Sequence, residues 1–362
     1  MDTSDQISDA AIAHGVAAPQ REPRARGPHP LGFLLKLLAE ECGGDRARLA
    51  AALAGVRAYQ NHPYRRTLAD MPVVSRASGS AVRDYGGDGP PVLFVPSPIN
   101  PPTVLDLTAD NSLLRWLSTQ RLRVLLLDWG TADEDWLAAD LETLVERLAT
   151  LIANCGPAVA VAGYCLGGTL ALALPGSTPV SRLALLATPW HFDGYGDDKR
   201  AAIARHAAAT RHLSRELGSH PIELLQPGFW ALDRAGVVDK FVRMAELDPA
   251  DPRAAAFVAL EDWTNDGTPL PLRAAHDLFD NLFAHNRSGR GHWHILGRDV
   301  DPAASCVPIL NVVATRDRLV PPASALRLGT RLDLDAGHVG MIVGGRARTQ
   351  LWEPLAHFLR GD

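Results

Sequence analysis

The side chains of this chain best suited to react centre on one turn, Gly163-Tyr-Cys-Leu-Gly-Gly168. A run of small apolar residues, 158–162, precedes the turn, and the apolar stretch 169–174 follows it. The first run predicts a buried strand and the second the start of a buried helix. A glycine on either side of the central residue permits a turn so tight that the side chain of Cys165 stands above the sheet. Cys165 is therefore the candidate nucleophile.

The predicted surroundings of this thiol favour such a role. The backbone N–H of Leu166 should point at the same spot, where it can stabilise a developing oxyanion. The helix begins directly after the cysteine, and a helix N-terminus favours the thiolate form. The second oxyanion donor should come from the loop that follows the apolar run 91–96. Pro98 has no N–H, so Ile99 is the better candidate in this loop, with Ser97 behind it.

An acid and a base follow the cysteine in the chain order Cys, Asp, His. Asp317 comes just after the predicted strand that ends at Ala314, and open α/β sheets place their sites at such strand ends. His338 lies between two glycines after the last predicted strand, in a turn that would project the imidazole over the sheet. Imidazole can take the thiol proton and return it, while a carboxylate fixes the imidazole tautomer. Asp333 and Asp335 compete for the acid role, but both are too near the histidine in sequence to reach behind its ring easily.

The length, composition, net charge and cysteine count limit the class of protein. The chain has 362 residues, of which 46% are hydrophobic and 21% charged, as in a soluble globular protein with a sizeable core. Its net charge of −5 gives no electrostatic footprint for nucleic acid. No signal peptide is apparent, and no run approaches the ~18 apolar residues of a membrane span. The four cysteines are scattered without metal-ligand spacing. We therefore expect a cytoplasmic protein with reduced thiols.

Along the chain, apolar runs typical of strands alternate with helical stretches. This alternation predicts a mostly parallel, doubly wound α/β sheet that would position the candidate residues. A Gly-x-nucleophile-x-Gly turn between a strand and a helix is the nucleophile elbow of the α/β-hydrolase fold. From about residue 189 the chain becomes largely helical, without a convincing strand, so this stretch is interpreted as a helical cap insertion. The predicted organisation is a disordered leader over 1–28, N-terminal helices over 29–68, the α/β-hydrolase core over 69–188 and 303–362, and the cap over 189–302.

Several motifs together resemble the polyhydroxyalkanoate synthase family, over roughly residues 55 to 360. The elbow with its extra Gly168 resembles the lipase-like box of these enzymes, and Trp263 with Asp266 matches their Trp-x-x-Asp signature. The short N-terminus is similar to that of the class III subtype, which works with a second subunit. Further resemblance lies in Val95–Asn100, Leu105–Leu107, Leu127–Gly130, Asp317–Pro322 and Gly337–Gly340, and departures lie in Asn286–His294 and in Pro98, Pro101 and Pro102.

This resemblance implies the extension of a polyester chain. Cys165 would attack the thioester of a 3-hydroxyacyl-CoA, CoA would leave, and the acyl group would pass to the hydroxyl of the growing polyester. No cofactor is implied apart from the CoA that the substrate carries, and no metal is needed. The expected partners are the substrate, the polyester with its granule surface, a second copy of the chain and a second synthase subunit. His292, His294, Asp299 and Asp301 have no recognised metal-ligand spacing, so we expect them to have surface or hydrogen-bonding roles.

Two other functions stay open. A hydrolase with a cysteine nucleophile, such as a dienelactone hydrolase, has the same elbow and triad order but is compact and lacks a long cap. A degenerate, synthase-like protein could bind granules or a synthase through the apolar stripe Leu31–Leu38. Such a stripe usually packs on its own domain. The presence of Cys165, Asp317 and His338 together argues against a scaffold, because a scaffold does not require all three.

Overall fold

The computed structural model describes residues 26–362. Residues 1–25 of the leader predicted over 1–28 therefore lie outside the described residues. The strands are β1 Val73–Ala77, β2 Ser80–Asp84, β3 Pro91–Val95, β4 Arg123–Asp128, β5 Val159–Tyr164, β6 Val180–Leu186, β7 Ser219–His220, β8 Leu270–Pro271, β9 His294–Ile295, β10 Arg298–Asp299, β11 Ile309–Ala314 and β12 Thr330–Leu334. The α-helices are α1 Leu31–Cys42, α2 Arg46–Asn61, α3 Leu113–Ser118, α4 Glu134–Leu137, α5 Leu141–Cys155, α6 Leu166–Leu172, α7 Asp197–Leu217, α8 Ile222–Ala231, α9 Arg234–Ala245, α10 Pro252–Thr264, α11 Leu272–His276, α12 Gly340–Val343 and α13 Glu353–Arg360. Short 3₁₀ turns span Pro102–Leu105, Phe192–Tyr195, Pro302–Ala304 and Pro322–Ser324, and π-helical segments span Asp277–Ala284 and Arg348–Trp352.

Eight strands form one twisted sheet in the order β1-β2-β4-β3-β5-β6-β11-β12. Strand β2 is antiparallel to both of its neighbours, and every pair from β4 to β12 in this order is parallel. The exchange of β3 and β4 in the order, behind an antiparallel second strand, is the strand order of the α/β-hydrolase fold. The predicted fold class, a mostly parallel sheet wound on both sides, is confirmed.

Helices cover both faces of the sheet, which explains the continuous apolar runs in its central strands. Successive side chains of β3 alternate between the faces: Leu93 and Val95 join one buried cluster, while Val92 and Phe94 join the other. Helices α5 and α6 pack on the first face, and α3 and α13 pack on the second. All six residues of β5 are buried, so the strand that leads to the cysteine is held from both sides.

The long segment between β6 and β11 carries five α-helices, α7 to α11. The helical character expected of this stretch is therefore present. The expectation of no strand is corrected by two small antiparallel pairs, β7 with β8 and β9 with β10, each strand only two residues long. Strands this short leave no alternation of apolar and polar residues to read. The boundaries of a cap over 189–302 stay a prediction.

The two N-terminal helices are separated at a pair of glycines, Gly43 and Gly44. Helix α1 ends at Gly43, which adopts the left-handed conformation with φ 54°, and Asp45 caps α2 by accepting from the N–H of Arg48. Both helices pack against α9, where Gly55 lies so close to the carbonyl of Phe241 that no larger residue would fit. The N-terminal helices and this part of the inserted segment therefore share one apolar core.

The apolar stripe of α1 is divided between the interior and the surface. One side packs into the shared core and the other is exposed, Phe33 most of all with 61% of its surface accessible. The stripe therefore packs on its own protein, as such stripes usually do, with only part of it inside. The buried members are Leu34, Leu37 and Leu38, and the exposed members are Leu31, Phe33 and Leu35.

Candidate active site

The turn between β5 and α6 has the geometry of a nucleophile elbow. Cys165 adopts φ 54° and ψ −128°, a strained conformation for a residue with a side chain. Its N–H donates to the carbonyl of Leu186 at 2.9 Å, which anchors the turn to β6. A Cβ on Gly163 would strike the backbone of Gly168, and a Cβ on Gly168 would strike Thr188. The glycines therefore let the helix pass directly over the strand, and the half-buried thiol is left at the turn.

The structure brings Asp317 and His338 together behind this turn. The Nδ1 atom of His338 lies 2.6 Å from one carboxylate oxygen of Asp317. The other carboxylate oxygen accepts hydrogen bonds from the N–H groups of Leu319 and Val320, each at 2.8 Å. Both side chains are buried, with 0% of the aspartate and 8% of the histidine side chain exposed. A carboxylate fixed at both oxygens can hold the imidazole in one orientation and one tautomer.

Cys165, the third residue of the predicted triad, affects the pKa of the same imidazole. Burial alone lowers the pKa of His338, but the charges of Asp317 and Cys165, together with the hydrogen bond to the Asp317 carboxylate, outweigh it and raise this pKa from 6.5 to about 10. An influence of Cys165 on the imidazole is what a proton relay from thiol to imidazole requires, and the triad itself stays a prediction. A cationic imidazole is the stabilised form in this environment.

Tyr164, the residue before the cysteine, supports the imidazole from below. Its ring stacks on the ring of His338, with 5.0 Å between centroids and 26° between planes. Its hydroxyl donates to the backbone carbonyl of His338 at 3.3 Å. Burial raises the pKa of Tyr164 far above its usual value, so the phenol keeps its proton. The sequence does not predict this role for Tyr164. The residue occupies a variable position of the elbow motif, and the motif does not indicate which ring such a residue contacts.

The two competing aspartates lie elsewhere. Asp333 is exposed and pairs with Arg331 at 2.9 Å, and Asp335 is exposed and pairs with Arg316 at 2.7 Å. Each is therefore occupied by a surface arginine, and neither makes the hydrogen bond to the imidazole that Asp317 makes.

The candidate oxyanion donors differ in what they already contact. Leu166 is the first residue of α6, and the first N–H groups of a helix have no acceptor within it. The N–H of Ile99 donates to the Oγ of Ser97 at 3.3 Å, a long hydrogen bond that an oxyanion would have to replace. The roles of Leu166 and Ile99, and of Ser97 behind them, stay predictions.

The stretch 286–294, which departs from the family pattern, lies against the segment that leaves β6. The side-chain oxygen of Asn286 accepts from the N–H of Phe192 at 2.8 Å, and the hydroxyl of Ser288 donates to the carbonyl of Trp190 at 2.6 Å. Trp190 and Trp293 also meet edge to face at 5.9 Å. This departure therefore holds the first turn of the inserted segment in place beside the elbow.

Tyr195 is a second residue near the site that the sequence analysis missed. Its ring is buried against Phe192 and Phe283, with centroids 5.9 and 5.0 Å away. Burial raises its pKa well above the usual value, and the charges of Cys165 and Asp317 raise it further. The start of the inserted segment thus carries a buried aromatic cluster, for which only the enrichment in large apolar residues was a signal.

Within residues 26–362, no three His, Cys, Asp or Glu side chains come together as metal ligands. Of the residues considered for such a site, His294 and Asp299 form an exposed pair at 3.3 Å. No helix in the same range is long and apolar enough to span a bilayer.

No model of a known protein family matches the chain. Curated relatives do match, and those compared here carry the name poly(3-hydroxyalkanoate) polymerase subunit PhaC. The relative from Haloferax mediterranei is 27% identical over 286 residues, covering 74% of this chain and 58% of its own. The relative from Haloarcula marismortui is 25% identical over 304 residues, covering 78% and 63%. The relative from Synechocystis is 27% identical over 291 residues, covering 74% and 77%. The chain thus spans less than two thirds of the two haloarchaeal relatives.

Solved structures are similar to the chain at lower identity. An esterase from Thermogutta terrifontis is 18% identical, with a TM-score of 0.46 over 81% of this chain and 99% of its own. An alpha/beta hydrolase fold protein from Nakamurella multipartita is 19% identical, with a TM-score of 0.45 over 80% and 98%. The strand order and the elbow define the class: the protein has the α/β-hydrolase fold with a cysteine in the nucleophile position.

Proposed function

We propose that this protein is an acyltransferase of the polyhydroxyalkanoate synthase type. It polymerises 3-hydroxyacyl-CoA through an acyl-thioester on Cys165 and releases CoA. One observation carries the proposal. Cys165 takes the place of the usual serine at the elbow, and the imidazole of His338 is hydrogen-bonded to the buried carboxylate of Asp317. The resemblance to several proteins named as poly(3-hydroxyalkanoate) polymerases supports the choice of substrate.

Each residue of the proposed triad has one task. His338 holds the thiol proton while Cys165 attacks the thioester carbonyl, and it passes that proton to the leaving CoA thiolate. Asp317 holds the imidazole and stabilises its cationic form. In the second half-reaction His338 takes the proton of the chain-end hydroxyl, whose oxygen attacks the acyl-thioester, and this proton returns to the leaving sulfur of Cys165. The N–H of Leu166 and that of Ile99 or Ser97 stabilise the oxyanion in both halves.

A cysteine suits transfer better than hydrolysis. Exchange of a CoA thioester for a cysteine thioester is nearly isoenergetic, so the acyl group keeps its potential for transfer. An ester on serine would lose much of that potential. In this proposal the aromatic cluster of Tyr195, Phe192 and Phe283 covers the thiol and keeps water from the intermediate.

The finer expectations belong to the same proposal. The relatives compared are named as subunits of a polymerase, which supports a second synthase subunit as a partner of the class III kind. A homodimer and the surface of a polyester granule are the other proposed partners. No cofactor is proposed beyond the CoA of the substrate.

The test is to incubate the purified protein with 3-hydroxybutyryl-CoA and to follow free CoA and insoluble polymer together. Release of CoA with matching growth of polymer is the expected result, in the presence of a second subunit where one is required. Release of CoA with free 3-hydroxybutyrate and no polymer would instead identify a cysteine hydrolase. Absence of both products would favour a degenerate, binding protein.

A further inference from the structure

The loop that carries the candidate oxyanion donors is poor in hydrogen bonds of its own. Four of the seven residues from Pro96 to Pro102 are prolines, which have no N–H to donate. No backbone-to-backbone hydrogen bond from Ser97, Ile99 or Asn100 to the rest of the described chain is present. We call the segment Pro96–Pro102 the oxyanion loop. Because it cannot fix itself, its position depends on side chains from elsewhere.

Two tryptophans hold this oxyanion loop near its two ends. The indole N–H of Trp129, after β4, donates to the carbonyl of Pro96 at 3.0 Å. The indole N–H of Trp263, in the last turn of α10, donates to the carbonyl of Pro101 at 2.7 Å. Both indoles are at least nine-tenths buried. Trp129 belongs to the sheet, whereas Trp263 comes from the inserted segment.

The residues beside Trp263 add to the same contact. The side-chain amide of Asn100 donates to the carbonyl of Asp266 at 3.0 Å. Gly267 lies against the carbonyl of Ile99, where a Cβ would be crowded. The end of α10 and the turn after it therefore meet the oxyanion loop at three successive residues, 99 to 101.

The end of α10 is itself held by the N-terminal part of the chain. The carboxylate of Asp262 accepts from the hydroxyl of Tyr59 at 2.9 Å and pairs with Arg26 at 2.9 Å. The side-chain oxygen of Asn265 accepts from the N–H of His29 at 2.9 Å. Trp263 thus projects toward the loop from a turn that is fixed on its opposite side.

We propose that Trp263 is a positioning residue: it sets the place of the oxyanion loop and so the N–H group that stabilises the oxyanion. The proposal rests on the acyl chemistry proposed for Cys165. It makes the inserted segment a working part of the oxyanion site and not only its cover. A displaced N–H donor weakens transition-state stabilisation without changing the thiol or its base.

The test is Trp263→Phe, which keeps an aromatic ring and removes the indole N–H. Acylation of Cys165 by 3-hydroxybutyryl-CoA should slow by about 10- to 100-fold, with KM changed less than kcat. Alkylation of the same thiol by iodoacetamide should keep its wild-type rate, because that displacement forms no oxyanion. Trp116→Phe is the matched control, since the indole N–H of Trp116 has no partner in the described chain. The control should acylate at the wild-type rate.

Asn100→Ala removes a second, exposed tether of the oxyanion loop and should slow acylation in the same direction by a smaller factor. An unchanged rate of acylation in Trp263→Phe would overturn the proposal. Equal loss of acylation and alkylation would overturn it as well, because the residue would then act on the thiol or on the fold. If wild-type Cys165 is alkylated but never acylated, the proposed function itself has failed and this inference falls with it.

Discussion

Asp317 is the residue whose position the rest of the site depends on most. Its carboxylate is fixed by two backbone N–H groups and by the imidazole of His338, all within 2.8 Å. A buried carboxylate with this set of partners cannot turn away. The imidazole is thereby held through its Nδ1 atom, which leaves Nε2 for the proposed proton transfer.

Replacement of Asp317 by Asn should therefore slow acylation and CoA release by several orders of magnitude. The amide permits the wrong imidazole tautomer, and the corresponding change in a serine protease lowers kcat by about 10⁴. Stopped-flow measurement of CoA release gives the rate, and equilibrium binding of a non-reactive analogue shows whether substrate binding is retained. Asp333→Asn is the control and should have a near-normal rate, because Asp333 pairs with a surface arginine. Normal turnover in Asp317→Asn with loss in Asp333→Asn would show that the acid is misassigned.

The raised pKa of His338 predicts how stability changes with pH. The folded protein binds this proton up to about pH 10, whereas an ordinary histidine loses it near 6.5. Between these values the folded state holds more protons than the unfolded state, so the free energy of unfolding should fall as pH rises. The contribution is complete below pH 6.5. Urea midpoints measured from pH 6 to 10 should decline more steeply in the wild type than in His338→Gln, and parallel curves would contradict the prediction.

At the scale of elements, the elbow is where a strand and a helix come closest. A Cβ at Gly163 would lie inside the contact between β5 and α6. Gly163→Ala should lower the free energy of unfolding by about 1–3 kcal/mol, as overpacking of a core does. Gly176→Ala is the matched control because nothing lies within 4 Å of its added methyl. Chemical unfolding of both variants measures the difference, and equal stabilities would mean that the elbow relaxes freely.

The elements of the sheet could be predicted because their signals are local. The apolar run into β5, the glycines around Cys165 and the break at Gly43 each act within a few residues of themselves. Asp317 and His338 could be chosen because chain order and strand ends constrain them. These local rules hold here because the sheet is buried on both faces, so its central strands must be apolar along their whole length.

The rest of the site depends on contacts that no local pattern encodes. The bond from Trp263 to Pro101 joins residues 162 positions apart. The engagement of the Ile99 N–H by Ser97 depends on the rotamer of one hydroxyl. The two-residue strands of the inserted segment exist only because distant parts of the chain lie side by side. Tertiary packing decides all three.

At the scale of the whole molecule, the inserted segment is tied to both the N-terminal helices and the site. Helix α9 shares a core with α1 and α2, and Asp233, at the start of α9, pairs with Arg318 beside the proposed acid at 2.5 Å. Any opening of the insertion that displaces α9 must therefore move the N-terminal helices with it or separate this core.

Hydrogen exchange with and without a non-reactive 3-hydroxyacyl-CoA analogue tests that coupling. If the insertion is a lid, added protection should appear together in α9 and α2, while β5 stays unchanged. The sheet serves as the internal control, and independent measurement of binding is needed. Protection confined to α9 would show that the shared core separates. No change in either helix with the analogue bound would leave the insertion as a static cover.

The proposed polymerisation depends on a covalent acyl group on Cys165. Intact-mass spectrometry with peptide mapping detects this group directly. After brief exposure to 3-hydroxybutyryl-CoA, the wild-type protein should gain the mass of one or more 3-hydroxybutyryl units, all on the peptide that contains Cys165. Cys165→Ala should gain none while keeping the wild-type fold by circular dichroism. Acylation that persists in Cys165→Ala, or that maps to a different residue, would contradict the account.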